Sequence, residues 1–381
     1  MTVFFDMHKK PWPCQAPWFF CIQIQVYLMK LGGNSLNQLQ KIFSEKTMEL
    51  HDHTLEVGRV TSQQKGIFTV LSLQGEFQAR LTGKLYYQTQ TAEDLPAVGD
   101  WVAFKPLDNH QAMIEKLLPR TSKFSRKKAG DEAEEQIIAA NIDYLFIVSS
   151  LNADLNLNRL ERYLLLCWES GAVPVIILSK ADLTDELEDI VSEVEAVAMG
   201  VPIFPVSSFE QKGFEALGHY LAEGKTAALV GSSGVGKSTL LNTLIGKSVQ
   251  TVKEIREKDS RGKHTTTHRE MFLLDNGAFI IDTPGMRELQ LWEGSEGVST
   301  QFKDIEEFAE ECKFRDCSHE DEPGCAIREA IDQGILSTER YMSYQKLLRE
   351  IEYSKRRADK RLQSLERKKW KKIGQNRASR K

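Results

Sequence analysis

Between His53 and Leu118 the chain breaks into short apolar runs punctuated by glycine and proline. "GIFTVLSL" (66–73), "GEFQARLTG" (75–83) and "VGDWVAFKP" (98–106) are rich in Val, Phe, Leu and Trp, which predicts β-strands. Several such strands within residues 51–118 predict a small closed barrel. An OB-fold fits that size; an SH3-like barrel is the alternative, and periodicity does not separate them. From residue 142 the pattern changes. "IDYLFIVSSL" (142–151), "VPVIILSK" (173–180), "VPIFPVSS" (201–208) and "KTAALVG" (225–231) are nearly continuous apolar runs, as parallel strands covered on both faces must be. A helical pattern over 157–170 separates the first two runs, and "FLLDNGAFIIDTPG" (272–285) reads as a hairpin. Strands alternating with helices predict an α/β domain with a mainly parallel sheet. Beyond residue 297 the pattern is helical and charged.

The remaining segments carry weaker signals. "LPRTSKFSRKKAGDEAEEQ" (118–136) is polar and reads as a linker. "PWFFCIQIQVYL" (17–28) is apolar but short and broken by glutamines, whereas a spanning helix needs about 20 apolar residues. No membrane insertion is expected there, and "MKLGGNSL" at Met29 looks the more natural start. The expected organisation is a partly disordered extension (1–50), a barrel (51–118), an α/β domain (119–296) and a helical C-terminal domain (297–381).

Composition adds an asymmetry. Of 381 residues 41% are hydrophobic and 27% charged, as in soluble globular chains. The net charge of −4 conceals a basic tail. From Gln345 to Lys381 there are fifteen Lys or Arg against four acids, about +11, which leaves about −15 on the rest. Such a tail, with Trp370 inside it, can neutralise several phosphates. It can equally be a solvated helix that orders only on a partner. By charge alone, an acidic membrane surface suits it nearly as well as RNA. Cys14, Cys21 and Cys167 are scattered and read as free thiols, so a cytoplasmic protein is expected.

The candidate chemistry lies in the α/β region. "GSSGVGKS" (231–238) follows an apolar strand and precedes the helical run "TLLNTLIG", the context a phosphate-binding loop requires. Gly231, Ser232, Ser233, Gly234, Val235 and Gly236 would present backbone N–H groups to a nucleotide, aided by the helix dipole. Lys237 would meet the β- and γ-phosphates, Ser238 would hold Mg²⁺, and Thr239 follows in the same helix. "SKAD" (179–182) selects the base. Asp182 would accept from the guanine N1–H and exocyclic amine, which adenine cannot offer. Lys180 would lie across the ring. Ser179 stands where Asn is more usual, a slight weakening of the motif. Ser207 and Ser208, ending the next strand, could reach the guanine O6 through backbone N–H. "DTPG" supplies Asp282, reaching Mg²⁺ through water, and the Gly285 N–H for the γ-phosphate. Within "GKHTTTH" (262–268), one of Thr265, Thr266 and Thr267 should complete the Mg²⁺ shell, with Thr266 favoured. Met286 occupies the place where many GTPases carry a water-orienting Gln, so the catalytic group must come from elsewhere. His264 is the candidate.

Cys312-x4-Cys317-x-His319-x5-Cys325 supplies four ligands within fourteen residues, which fits one closed, structural Zn²⁺ site. The metal would be expected to fold a small domain that otherwise lacks a core.

The base motif precedes the phosphate loop, the reverse of the usual GTPase order. With "GSSGVGKSTLLN", "GKHTTTH", "DTPG" and "DCSHEDEPGC", this order resembles the RsgA/YjeQ family of circularly permuted, ribosome small subunit-dependent GTPases. The resemblance spans roughly residues 30 to 370. It implies an OB-fold, a permuted GTPase domain and a zinc domain. It also implies GTP hydrolysis stimulated by the subunit, late maturation of the 30S subunit, and binding of 16S rRNA and GTP/GDP. The same resemblance points to His264 and to the four metal ligands. A monomer without membrane attachment is expected.

Overall fold

The computed structural model describes residues 33–352 apart from 51, 53, 90, 128–134, 153–154, 247–268, 285–295 and 321. Helix α1 (Gly33–Met48) leads into strands β1 (Glu56–Gln64), β2 (Ile67–Ser72) and β3 (Gly75–Leu81). A short helix α2 (Gly83–Gln88) then precedes β4 (Trp101–Leu107) and β5 (Gln111–Leu117). These five strands close through a β1–β4 pairing, in the order β1-β2-β3-β5-β4, and β3 runs parallel to β5. That closure, with a helix between β3 and β4, is the OB arrangement and settles the alternative left by periodicity. Val60, Phe68, Val70, Phe77, Val102, Phe104 and Ile114 fill the interior. β1 passes closest to it at Gly58, where a Cβ would stand 2.2 Å from Val70 Cγ1.

One segment departs from expectation, and the extension expected to be partly disordered carries a helix. The extension is helical over α1, because Phe43 stacks edge-on against Trp101 at 4.9 Å and packs with Leu50, Val57 and Leu118 on the outside of the barrel. The supposed linker forms a hairpin, β6 (Lys123–Lys127) with β7 (Glu135–Ala140). Its charges hid the alternation. Phe124 and Ile138 are buried, while Lys123 pairs with Glu135 at 3.0 Å and with Glu93 at 3.2 Å.

The α/β domain continues with β8 (Tyr144–Ser150), α3 (Leu157–Ser170), β9 (Val173–Ser179), α4 (Leu187–Val197) and β10 (Ile203–Val206). Then come β11 (Thr226–Val230), α5 (Lys237–Ile245), β12 (Glu270–Leu273) and β13 (Phe279–Asp282). Its strands lie in the order β10-β9-β8-β11-β13-β12, all parallel except β12. Alternation divides each strand between two cores. Leu145, Ile147, Ile176, Leu178, Ala228 and Val230 face α3, whereas Phe146, Val148, Val175, Ile177, Ala227 and Leu229 face α5. The β11 strand sits in the middle although it comes fourth in the chain.

Barrel and sheet are joined. β1 pairs with β12 at Ser62–Glu270. Beside that seam Arg59 is buried between the rings of Trp101 and Phe279, at 5.2 and 4.8 Å, and donates to Gly99 O and Asn141 O. Burial pulls its guanidinium down to about 10, against the raising effect of Asp143 and Asp100.

Helices α6 (Glu296–Gln301), α7 (Lys303–Glu310), α8 (Ala326–Asp332) and a helical stretch at 338–352 make up the C-terminal region. The expectation that it lacks a core is corrected. Val298, Phe302, Ile305, Ile327, Leu336 and Leu347 belong to the same hydrophobic cluster as Leu160, Leu164 and Leu165 of α3. Arg340 ties these helices together, donating to both carboxylate oxygens of Asp304 and to Gln301 O, and reaches Val197 O of the α/β domain at 3.5 Å. Among the described residues, no helix is long and apolar enough to cross a membrane.

α6 approaches α3 so closely that a Cβ on Gly297 would meet Glu169 Cγ at 2.8 Å. Glu169 Oε1 is buried with no hydrogen-bond partner, and burial pushes its carboxyl up from 4.5 to about 7. The folded state therefore holds this proton more tightly than the unfolded chain, and stability falls as pH rises from about 4.5 to about 7. Glu169→Gln should raise the melting temperature at pH 8. That gain should shrink towards pH 5, which thermal melts across this range would check.

Candidate functional site

At the carboxyl end of β9 the chain leaves the sheet through Ser179, turns at Lys180 with φ 60°, and makes a tight turn over Ala181–Leu183. The Ser179 hydroxyl lies 2.5 Å from Val235 O and 3.3 Å from Ser149 O, and donates to the nearer. Lys180 Nζ donates to Gly234 O at 3.2 Å. Two adjacent residues of "SKAD" are thus laced to the middle of "GSSGVGKS". Ser in place of Asn does not leave the motif unbraced, because the shorter side chain still reaches the loop backbone.

Asp182 is oriented from the other side. The Ser207 hydroxyl, at the end of β10, donates to Asp182 Oδ1 at 2.5 Å. The backbone role foreseen for Ser207 is corrected here, since its N–H donates to Lys212 O at 3.1 Å. Ser207 reaches Asp182 through its hydroxyl.

The phosphate loop joins β11 to α5. Gly231 (φ 147°) runs so close to β8 that a Cβ would stand 2.3 Å from Val148 O, so the first loop position admits only glycine. Gly236 caps α5 in the left-handed conformation. Lys237 is buried, and its ammonium donates to Gly231 O at 2.8 Å and Ser232 O at 2.7 Å, inside the loop. Ser232 Oγ is buried without a partner. An orphaned hydroxyl beside a buried ammonium at a helix N-terminus fits an anionic ligand. Val235 packs inward, while Ser233, Gly234, Ser238 and Thr239 stay exposed at the rim.

Asp282 ends β13, buried, in register with Leu229 of β11. The Thr283 hydroxyl donates to Leu229 O at 2.6 Å and ties the start of "DTPG" to the strand that feeds the phosphate loop. His264, Thr265, Thr266, Thr267, Gly285 and Met286 lie outside the described residues, as does the tail from 353.

Apart from this cleft, the ligand atoms of Cys312, Cys317, His319 and Cys325 lie within 4.8 Å of one another. His319 Nδ1 is 3.5 Å from the sulfurs of both Cys312 and Cys325, which are 4.0 Å apart. A tetrahedral ion at about 2.3 Å from sulfur and about 2.0 Å from nitrogen sets edges near 3.8 and about 3.5 Å. The cluster can therefore hold one metal ion through Nδ1 and three sulfurs. Cys325 belongs to the core shared with α3, so this centre is fixed to the α/β domain.

Sequence comparison agrees with this geometry. The profile of the RsgA GTPase family matches residues 117–292. The chain is 46% identical over 346 residues to the small ribosomal subunit biogenesis GTPase RsgA 1 of Listeria innocua, covering 91% of this chain and 95% of that one. It is 45% identical to the protein named small ribosomal subunit biogenesis GTPase RsgA in Methanosarcina acetivorans, over 84% of this chain and 86% of that one. Among solved structures, YjeQ from Thermotoga maritima superposes with a TM-score of 0.58 at 28% identity, over 77% of this chain and 98% of that one. YloQ, a circularly permuted GTPase, does so with a TM-score of 0.55 at 25% identity, over 79% and 96%.

The Ser179 brace joins two parts of the cleft without touching the choice of base. Ser179→Ala should weaken GTP and GDP alike, by about tenfold, as loss of one buried hydrogen bond does. Calorimetric titration of both nucleotides checks this. Metal analysis should find one ion per chain, lost in Cys317→Ala. Because the surrounding helices share the α3 core, that variant should keep its nucleotide affinity.

Proposed function

The chain belongs to the RsgA GTPase family and is a GTP hydrolase, and from this premise we propose that it acts late in maturation of the small ribosomal subunit. Its partner is the 30S particle, met through 16S rRNA, and its compartment is the cytoplasm. The observation that carries the reading is the lacing of "SKAD" to the phosphate loop, with Ser207 holding Asp182 from the far side. One ligand must satisfy both motifs, and a guanine nucleotide is such a ligand.

The roles follow from that placement. Asp182 pairs with the guanine edge and rejects adenine, whose N1 would leave the carboxylate without a donor. Lys180 lies across the base. The loop amides from Ser233 to Ser238, with Lys237, stabilise the charge that spreads over the γ-phosphoryl oxygens as its bond to GDP breaks. Ser238, Asp282 and Thr266 are the residues that would hold Mg²⁺, which would supply positive charge to the phosphates. His264 positions the attacking water, since Met286 offers no hydrogen bond. The ion of the Cys₃His cluster is read as structural Zn²⁺, because four protein ligands leave no open position. The basic tail adds a salt-dependent contact to rRNA.

GTP turnover should rise on addition of small subunits, and the protein should cosediment with them when a non-hydrolysable GTP analogue is present. A rate indifferent to subunits would overturn the proposal. His264→Ala should abolish the stimulated rate while GTP binding persists; intact stimulated turnover would remove His264 from its role.

A further inference from the structure

Two arginines from distant parts of the chain are held on adjacent residues of β7. Arg126 of β6 donates through Nε to Gln136 Oε1 at 3.2 Å, and Arg269, at the entry to β12, donates through Nη1 to Ile137 O at 3.1 Å. Both side chains are half-buried. Among the described residues neither has a carboxylate within ion-pair distance, and the nearest acid along β7, Glu135, is taken by Lys123. Arg269 Nε is buried without a partner. Burial pulls the Arg269 guanidinium down to about 10, and the like charge of Arg126 pulls the same way.

Two guanidiniums side by side, partly dehydrated and without a counter-charge, are costly. An anion that meets both relieves the repulsion. The bond to Ile137 O leaves Arg269 its Nε–Nη2 edge, a fork that fits oxygen acceptors. A tetrahedral phosphodiester turns its two free oxygens in different directions, so each arginine can take one. A carboxylate has coplanar oxygens, and a single fork uses both. The place matters as well. Glu270, the next residue after Arg269, lies opposite Asp282 in the β12–β13 register. Arg269 therefore enters the sheet at the edge where the nucleotide loops open.

We propose that Arg126 and Arg269 jointly grip one backbone phosphate of the RNA partner, which brings that RNA to the edge of the sheet beside Asp282. The inference rests on the reading of the partner as rRNA. Small subunits titrated into the GTPase assay at several salt concentrations test it. Arg126→Gln and Arg269→Gln should each raise the subunit concentration for half-maximal stimulation by about tenfold and lower the salt slope by about one. The double variant should lose little more than either single one, because both side chains hold the same group. Unstimulated turnover, GDP affinity and melting temperature of Arg126→Gln should match the parent chain, and Arg126→Lys, which keeps the charge but not the fork, should recover part of the loss. If both Gln variants equal the parent in subunit affinity and salt slope, the site is overturned. Fully additive losses would mean two separate contacts and overturn the shared grip. Affinity lost for subunits but kept for deproteinised 16S rRNA would give the pair to an acidic protein surface and overturn the phosphate assignment. If the parent chain itself neither binds subunits nor responds to them, the rRNA reading fails and the phosphate site fails with it.

Discussion

A parallel sheet covered by helices on both faces has only its strand ends to offer a ligand. Here the covering is complete: one core lies under α3, the other under α5, and the strands between them are apolar on both sides. Strand β11 occupies the middle, between β8 and β13. Three loops from parallel strands of this sheet must then open at one edge. They are the base loop after β9, the phosphate loop after β11 and the "DTPG" segment after β13. The edge is made into a single cleft by short contacts, Ser179 to Val235 O and Thr283 to Leu229 O. Ligands of α/β sheets bind outside the carboxyl ends for this reason.

Circular permutation is tolerated by the same logic. Strand neighbours, not chain order, decide which loops meet. The reordering matters for what is attached where. The segment entering β12 leads to a strand that pairs with β1 of the barrel, and the segment after "DTPG" leads to the C-terminal helices. Both segments are thus continuous in the chain with a flanking domain.

Those flanking domains are held by buried charge as well as by apolar packing. Arg59 and Arg340 each sit against an aromatic face and give an N–H group to a backbone carbonyl across a domain boundary, Asn141 O and Val197 O respectively. A guanidinium in such a place is costly unless its donors are satisfied, so each position specifies one docking geometry. The C-terminal region therefore packs on α3 through an apolar core, with the Cys312–Cys325 cluster at its edge.

The amino-acid order by itself determined the barrel and the parallel strands, because burial on one or both faces writes itself as period two or as unbroken apolar runs. It also determined the phosphate loop and the Cys/His set, because those chemistries need fixed residue types at fixed short spacing. It misjudged β6 and β7. Their buried residues, such as Phe124 and Ile138, are few among charges, and Lys123 finds its partners in Glu135 and Glu93. Only the tertiary structure decided the parallel β3–β5 closure, the hydroxyl of Ser207 on Asp182 and the core that the C-terminal helices share with α3. Each of these joins residues far apart in the chain, and no local pattern carries the distance between them.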